Sequence, residues 1–173
     1  MKQVKWFDRK FEFTSEQNIL PSIIARLEGT PIRLNHKIGL IPKEHLTVQH
    51  EEKWSIQENI GHLVDLEPLW QDRLGDILGG AEYLRTADLE NKKTDAAGHN
   101  EKDVNQLLFD FQNLRKTTVA QLTQLNEEDA FKYALHPRLH QPMRVVDLFL
   151  FVAEHDDHHL ARISELNKLL QDK

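Results

Sequence analysis

The sequence contains no cysteine. That absence removes disulfides, thiolate metal ligands and a cysteine nucleophile together, so any metal the chain binds must be held by nitrogen and oxygen. Long apolar runs are missing as well. The opening stretch, MKQVKWFDRKFEF, scatters charges through its apolar residues where a signal peptide would carry an unbroken apolar segment, and no later stretch approaches membrane-spanning length. The expectation is a soluble, cytoplasmic protein with no membrane association. A basic excess is also lacking: the formal net charge is -6, and lysines and arginines are interspersed with acids, as on solvated helix faces. Proteins that grip a phosphate backbone usually show a basic patch or stripe, so no nucleic-acid partner is expected.

What is present suits one domain over residues 1–173, since 39% of the residues are hydrophobic and a chain of this length can build one core but hardly two. Apolar residues recur at helical spacing, strand-like alternation is rare, and glycine and proline gather at a few points. The fold class read from this is all-α. A first helix is expected at about residues 15 to 28, with Thr14 or Ser15 as its cap, Pro21 as a kink or the true first turn, and Gly29 as its stop. Thr30-Pro31 then reads as a cap followed by proline at the first helical position of a shorter helix reaching about Gly39.

Ser55-Ile56-Gln57-Glu58 matches a capping box and opens a helix from about 56 to 78, which the Gly79-Gly80 pair ends. Pro68 removes the backbone bond to Val64 and predicts a kink. Residues 79 to 100 read as a long polar connection, of a length that is uncommon unless functional or disordered. Val104, Leu107, Leu108, Phe111, Leu114, Thr118, Leu122 and Leu125 mark a third helix over about 101 to 125. A proline-bearing loop, 135 to 142, leads into the last helix. Four long helices with extended connections predict a four-helix bundle with at least one long crossover.

The last helix carries Glu154-His155-Asp156-Asp157-His158-His159. At about 100° per residue, His155 and His159 fall on the same stripe as Val145, Leu148, Val152, Ile163, Leu166 and Leu170. Two imidazoles, one turn apart, therefore point where a core should be. A buried imidazole needs a hydrogen-bond partner or a metal to offset its lost hydration. The pair is a bidentate clip that needs a third ligand, and His62, bordering the apolar face of the second helix, is the leading candidate. His158 lies about 60° to one side of His155 and flanks the site. Asp65 and Asp156 sit at similar angles from His62 and His159, and either would orient a ligand imidazole or simply be a solvated acid. Glu67, Glu154 and Asp157 point further away and take no catalytic role. Trp54 and Trp70 would line a pocket or belong to the core. Three neutral imidazoles leave open positions on a divalent ion, zinc, nickel or iron by donor type, which suit a bound water or thiol.

Trp54-Ser55-Ile56, then Gly61-His62-Leu63-Val64-Asp65-Leu66-Glu67, and finally Ala153-Glu154-His155-Asp156-Asp157-His158-His159-Leu160-Ala161-Arg162-Ile163 together resemble the DinB/YfiT-like superfamily, over nearly the whole chain. The resemblance implies a four-helix bundle with a divalent metal on His62, His155 and His159, the three residues also reached from periodicity. It further implies thiol S-transferase-like or hydrolase-like activity on a small molecule, a low-molecular-weight thiol as a cofactor of some members, and a homodimer. The chain departs from many relatives in carrying Arg162 where they have glutamine. The alternative is a metal-stabilised, non-catalytic binding protein, which would use the same histidines but leave no coordination site open to solvent.

Overall fold

The computed structural model describes residues 4–13, 16–51 and 53–171. Its elements are α1 (Leu20–Gly39), α2 (Ile56–Leu78), α3 (Lys92–Ala96), α4 (Val104–Leu122), α5 (Glu127–Phe131), a hairpin of β1 (Tyr133–Leu135) and β2 (Pro142–Arg144), and α6 (Val145–Gln171). Helices α1, α2, α4 and α6 form a four-helix bundle. Around it, α1 contacts α6 and α4, and α2 contacts the same two, so α1 lies diagonally across from α2.

Side-chain contacts fix the directions. Arg26 reaches Glu154 and Asp157, and Lys37 reaches Ser164, so α1 and α6 run parallel. Asn59 meets His159 while Trp70 meets Phe151, so α2 runs against α6. Gln57 bonds the carbonyls of His99 and Lys102, ahead of α4, and Glu67 bonds Arg115 within it, so α2 and α4 are parallel. A parallel pair needs a connection that returns the full length of the bundle. Residues 79–103 are that crossover, which accounts for the long connection seen in the sequence. It carries the short helix α3 and a single 3-10 turn at His99–Glu101.

α2 begins and ends where its sequence signals place it. Ser55 Oγ accepts from the Glu58 N–H at 3.1 Å, and the Glu58 carboxylate accepts from the Ser55 N–H at 2.7 Å, which satisfies two donors that the first turn would otherwise orphan. At the other end Gly80 adopts φ +74°, a left-handed conformation costly for other residues, and the Ala81 N–H reaches back to the Asp76 carbonyl at 2.9 Å. The helix passes through Pro68 without interruption. The third long helix is shorter than its apolar pattern: Asp103 caps it by accepting from the Asn105 N–H, and it ends at Leu122.

α1 corrects the two-helix reading. It is one helix from Leu20 to Gly39, with Pro21 in its first turn and Pro31 inside it. Asn18 Oδ1 accepts from the Leu20 N–H at 3.1 Å, whereas Thr14 and Ser15, the expected caps, lie outside the described residues. Pro31 cannot donate to the Leu27 carbonyl. That carbonyl instead accepts from Arg115 Nη1 on α4 at 3.4 Å, so the helix continues where local chemistry predicted a stop.

The hairpin is likewise absent from the all-α expectation. It is a three-residue antiparallel pairing, Tyr133 with Arg144, Ala134 with Met143 and Leu135 with Pro142, that seats the loop 136–141 beside the bundle.

The apolar core is in two parts. One packs Leu20, Ile23 and Leu27 of α1 with Trp70, Leu74 and Ile77 of α2, Leu122, and Val145 to Ala153 of α6. The other packs Leu34 and Ile38 with Ile56, Ile60, Leu63, Leu107, Leu108, Phe111, Leu160, Ile163 and Leu166. Between them every long helix contributes buried polar residues: Thr30, His62 and Glu67, Arg115 and Thr118, and His155, Asp156 and His159. A polar layer thus crosses the middle of the bundle.

Candidate functional site

His62, His155 and His159 are buried, and each offers a ring nitrogen such that the three atoms lie within 4.8 Å of one another. The Nε2 atoms of His155 and His159 are 3.2 Å apart. Helical periodicity brings these two together, and the antiparallel packing of α2 on α6 supplies the third.

The hydrogen-bond network fixes the ring tautomers. Asn59 Nδ2 donates to the Ser55 carbonyl at 2.7 Å, which turns Asn59 Oδ1 towards His159 Nδ1 at 2.8 Å. His159 therefore donates from Nδ1 and keeps the Nε2 lone pair for the cluster. On the other side, Thr94 Oγ1 donates to Asp65 Oδ2 at 2.9 Å and accepts from His62 Nδ1 at 3.1 Å. His62 is thereby oriented in the same way. The Asp65 oxygen also accepts from His99 Nε2 at 2.8 Å. His155 Nδ1 is buried with no hydrogen-bond partner among the described residues. Its ring is instead wedged between Trp6, 4.9 Å away edge-on, and Trp70, at 6.1 Å.

Burial sets the charge state. It lowers the pKa of His62 to about 4, and it pushes His155 and His159 well below the ordinary value of 6.5, with the neighbouring imidazoles adding to the effect. All three rings are neutral at pH 7 and carry the lone pairs a metal ligand needs. Three convergent, neutral imidazoles, two with Nδ1 already committed, fit a divalent ion of the zinc, nickel or iron type.

Asp65 acts on His62 through Thr94, a link that helix geometry alone could not show. Asp156 does not orient His159. It pairs with Arg115, whose Nη2 reaches Asp156 Oδ1 at 3.0 Å while Nε reaches Glu67 Oε1 at 2.8 Å; Thr118 completes the cluster by donating to Glu67 Oε2 at 2.7 Å. Burial opposes the Arg115 charge, but Asp156 and Glu67 outweigh it and raise its pKa. Glu67 is therefore not a distant acid but part of a buried ionic cluster beneath the histidines, at 0% exposure. Glu154 and Asp157 bind Arg26 along the seam of α1 and α6. His158 stands beside the three histidines, 5.4 Å from both Trp6 and His159, and outside the converging set.

Two contributors escaped the sequence reading. His99, on the crossover, is buried against α2, where a Cβ on Gly61 would come within 2.2 Å of its ring. A glycine in a helix interior costs roughly 1 kcal/mol, so its presence beside His62 was the available signal. Trp6 opens a three-residue 3-10 turn, Trp6–Asp8, ahead of every α-helix and carries no periodic pattern to place it.

A cavity of about 1140 Å³ opens above the histidines. All three tryptophans of the chain, Trp6, Trp54 and Trp70, line it, together with His62, His155, His158 and His159. Trp54 is 4.6 Å from His62 and is held by a 2.8 Å bond from Nε1 to Asp95. Trp54 and Trp70 are thus pocket walls, and Trp70 belongs to the core as well. Among the described residues no helix is long and apolar enough to cross a membrane.

The fold has solved counterparts. YfiT from Bacillus subtilis, described as a probable metal-dependent hydrolase with an unusual four-helix bundle topology, superposes with a TM-score of 0.81 at 21% identity, covering 94% of each chain. A protein from Streptococcus pneumoniae superposes with a TM-score of 0.69 at 13% identity, covering 90% of this chain and 94% of that one. A comparison with curated proteins finds no match. The family model of the DinB superfamily matches residues 26–163. Since that match runs from the second turn of α1 past His159 on α6, and so takes in the whole polar layer, the chain belongs to the DinB superfamily.

Proposed function

We propose that the protein is a divalent-metal-dependent enzyme acting on a small molecule, with His62, His155 and His159 holding the ion. The observation that carries this reading is the convergence of three neutral imidazole nitrogens within 4.8 Å at the wall of a 1140 Å³ cavity. A metal held only to stabilise a fold is normally closed off by its ligands, whereas a catalytic site keeps positions open. The cavity favours the enzyme over the non-catalytic binding protein. When bound, the ion would supply a Lewis-acid centre that acidifies a water or thiol reaching it.

The chain's own residues do the rest. Asn59 and the Thr94–Asp65 pair hold the imidazoles of His159 and His62 in one tautomer. The three tryptophans give the cavity beside the histidines apolar walls on which a substrate can pack. His158, half-buried at the cavity wall, is positioned to accept a proton: burial and the charges of Arg9 and Arg162 lower its pKa, leaving it neutral at pH 7.

Hydrolysis is the reading that also fits the description of the YfiT counterpart. Thiol S-transfer is the second, favoured by cavity size: single-ligand pockets commonly run to about 300–1,000 Å³, and this one has room for a substrate beside a low-molecular-weight thiol. By resemblance, the proposal includes a homodimer in the cytoplasm, which sedimentation and fractionation would test. The decisive experiment is elemental analysis of tag-free protein. One zinc, nickel or iron per chain in the wild type, lost in His62→Ala and His155→Ala, is expected; equal metal content in the variants would sink the assignment.

A further inference from the structure

Arg73 stands one helical turn beyond Trp70 on α2 and lines the same cavity, at 3% exposure. A buried guanidinium ordinarily has a carboxylate partner. Arg115, in the bundle core, has two. Arg73 has none within 4 Å among the described residues: its bonds go from Nε and Nη2 to the Arg85 carbonyl, at 3.1 and 2.9 Å. The acids that would serve are already taken. Arg85 holds Asp72 at 2.5 Å and Asp76 at 2.7 Å with its own guanidinium.

The geometry of what remains on Arg73 is specific. With the Nε side of the fork spent on a carbonyl, the end-on pair formed by Nη1 and Nη2 is left, and two parallel N–H groups match the two oxygens of a carboxylate. Beside it stand one further cation and an imidazole that is neutral at pH 7. His136 and Arg138, from the hairpin loop, line the same cavity. Burial, then the charges of Arg73 and Arg138, lower the His136 pKa to about 4, which places all three groups within electrostatic reach. Burial also lowers Arg73 itself to about 10, outweighing the opposing charge of Asp76, whose carboxylate Arg85 holds. One indole separates this corner from the histidines: the Trp70 ring is 5.7 Å from the Arg73 guanidinium carbon and 6.1 Å from the His155 ring.

We propose that Arg73 is a substrate-binding residue that takes a carboxylate, so that the site accepts a small organic acid whose carboxylate sits on Arg73 while its other end, across the face of Trp70, reaches the three histidines. The second half of this statement rests on the reading of the histidine cluster as the reacting end. The first half does not, and the two are separable by experiment.

The test is titration calorimetry of straight-chain dicarboxylates, malonate to adipate, into metal-free and zinc-loaded protein, with inorganic phosphate as a second anion. At least one dicarboxylate should bind the metal-free wild type, with affinity reduced at least about tenfold in Arg73→Met and less in Arg73→Lys, which keeps the charge but loses the fork. Arg73→Met removes a buried charge that has no ion pair of its own, at the cost of its bonds to the Arg85 carbonyl, so its melting temperature should stay close to the wild type's, and lost binding then cannot be blamed on unfolding. Equal binding by Arg73→Met, binding only to the zinc-loaded form, no binding of any dicarboxylate, or phosphate binding tighter than all of them would each overturn the carboxylate assignment. Metal content, read separately, reports on the histidines whichever way the anion result falls.

Discussion

At the scale of single residues, the site is governed by what neutralises or fails to neutralise buried polar atoms. Two of the three imidazoles are oriented from behind, and partners of this kind are worth about 10–100-fold in metal affinity. Replacing Thr94 with valine, which keeps the shape and removes the hydroxyl between Asp65 and His62, should weaken zinc binding by about that factor, as measured by competition with a chromophoric chelator. A similar loss is expected for Asn59→Ala. His62 also gives the metal-free protein a pH dependence. Its pKa is about 4 when folded, through burial, against an ordinary value of 6.5. Above pH 6.5 neither state takes a proton, and this stability is fully present. As the pH falls from 6.5 towards 4, the unfolded chain binds a proton that the folded one does not, and stability drops by about 1.4 kcal/mol per pH unit. His155 and His159 act in the same direction. Urea denaturation at stepped pH should show this loss in the metal-free wild type and less of it in His62→Gln; a flat profile would refute it.

At the scale of elements, the glycines of α2 separate a packing requirement from a tolerated weakness. Alanine at Gly61 would drive its Cβ into the His99 ring, whereas alanine at Gly75 meets nothing within 4 Å. Gly75→Ala should raise stability by about 0.5–1 kcal/mol, the ordinary helix-propensity gain. Gly61→Ala should lower it and loosen the crossover, so that the His99 and Asp65 imidazole–carboxylate signal shifts by NMR. Equal effects of the two substitutions would show that the close approach is unimportant. What the sequence disclosed about these elements follows the same division. The capping box, the Gly79-Gly80 stop and the 3.6-residue stripes are local, and α2 was legible to its ends. The fusion of α1 across Pro31 was not, because the group that satisfies the Leu27 carbonyl is Arg115, 88 residues away in sequence. The hairpin strands are three residues each, too short for alternation to register.

At the scale of the whole molecule, four helices meet in a polar layer that divides two apolar clusters. The convergence of His62, His155 and His159 was readable from the phase of the apolar stripes. Trp6, His99 and the redirection of Asp156 were not, since each depends on which helix lies opposite. The Glu67–Arg115–Asp156 cluster ties α2, α4 and α6 together at exposures of 0%, 1% and 1%. Arg115→Met would leave two carboxylates facing each other without a cation, and should cost about 3–5 kcal/mol, read as a fall in denaturation midpoint. A triple replacement by apolar residues of similar size should recover most of that loss; if Arg115→Met alone were neutral, the cluster would have no role in holding the bundle.

The parallel pairing of α1 with α6 gives the chain an unusual assembly problem. Its first and last long helices lie side by side, and the histidine cluster spans 97 positions from His62 to His159 by way of a crossover that itself supplies Thr94. No single helix holds the cluster by itself. An ion captured there would act as a clasp on the entire bundle, so amide exchange in α1, which lends the cluster no ligand, should slow on loading as much as in α6.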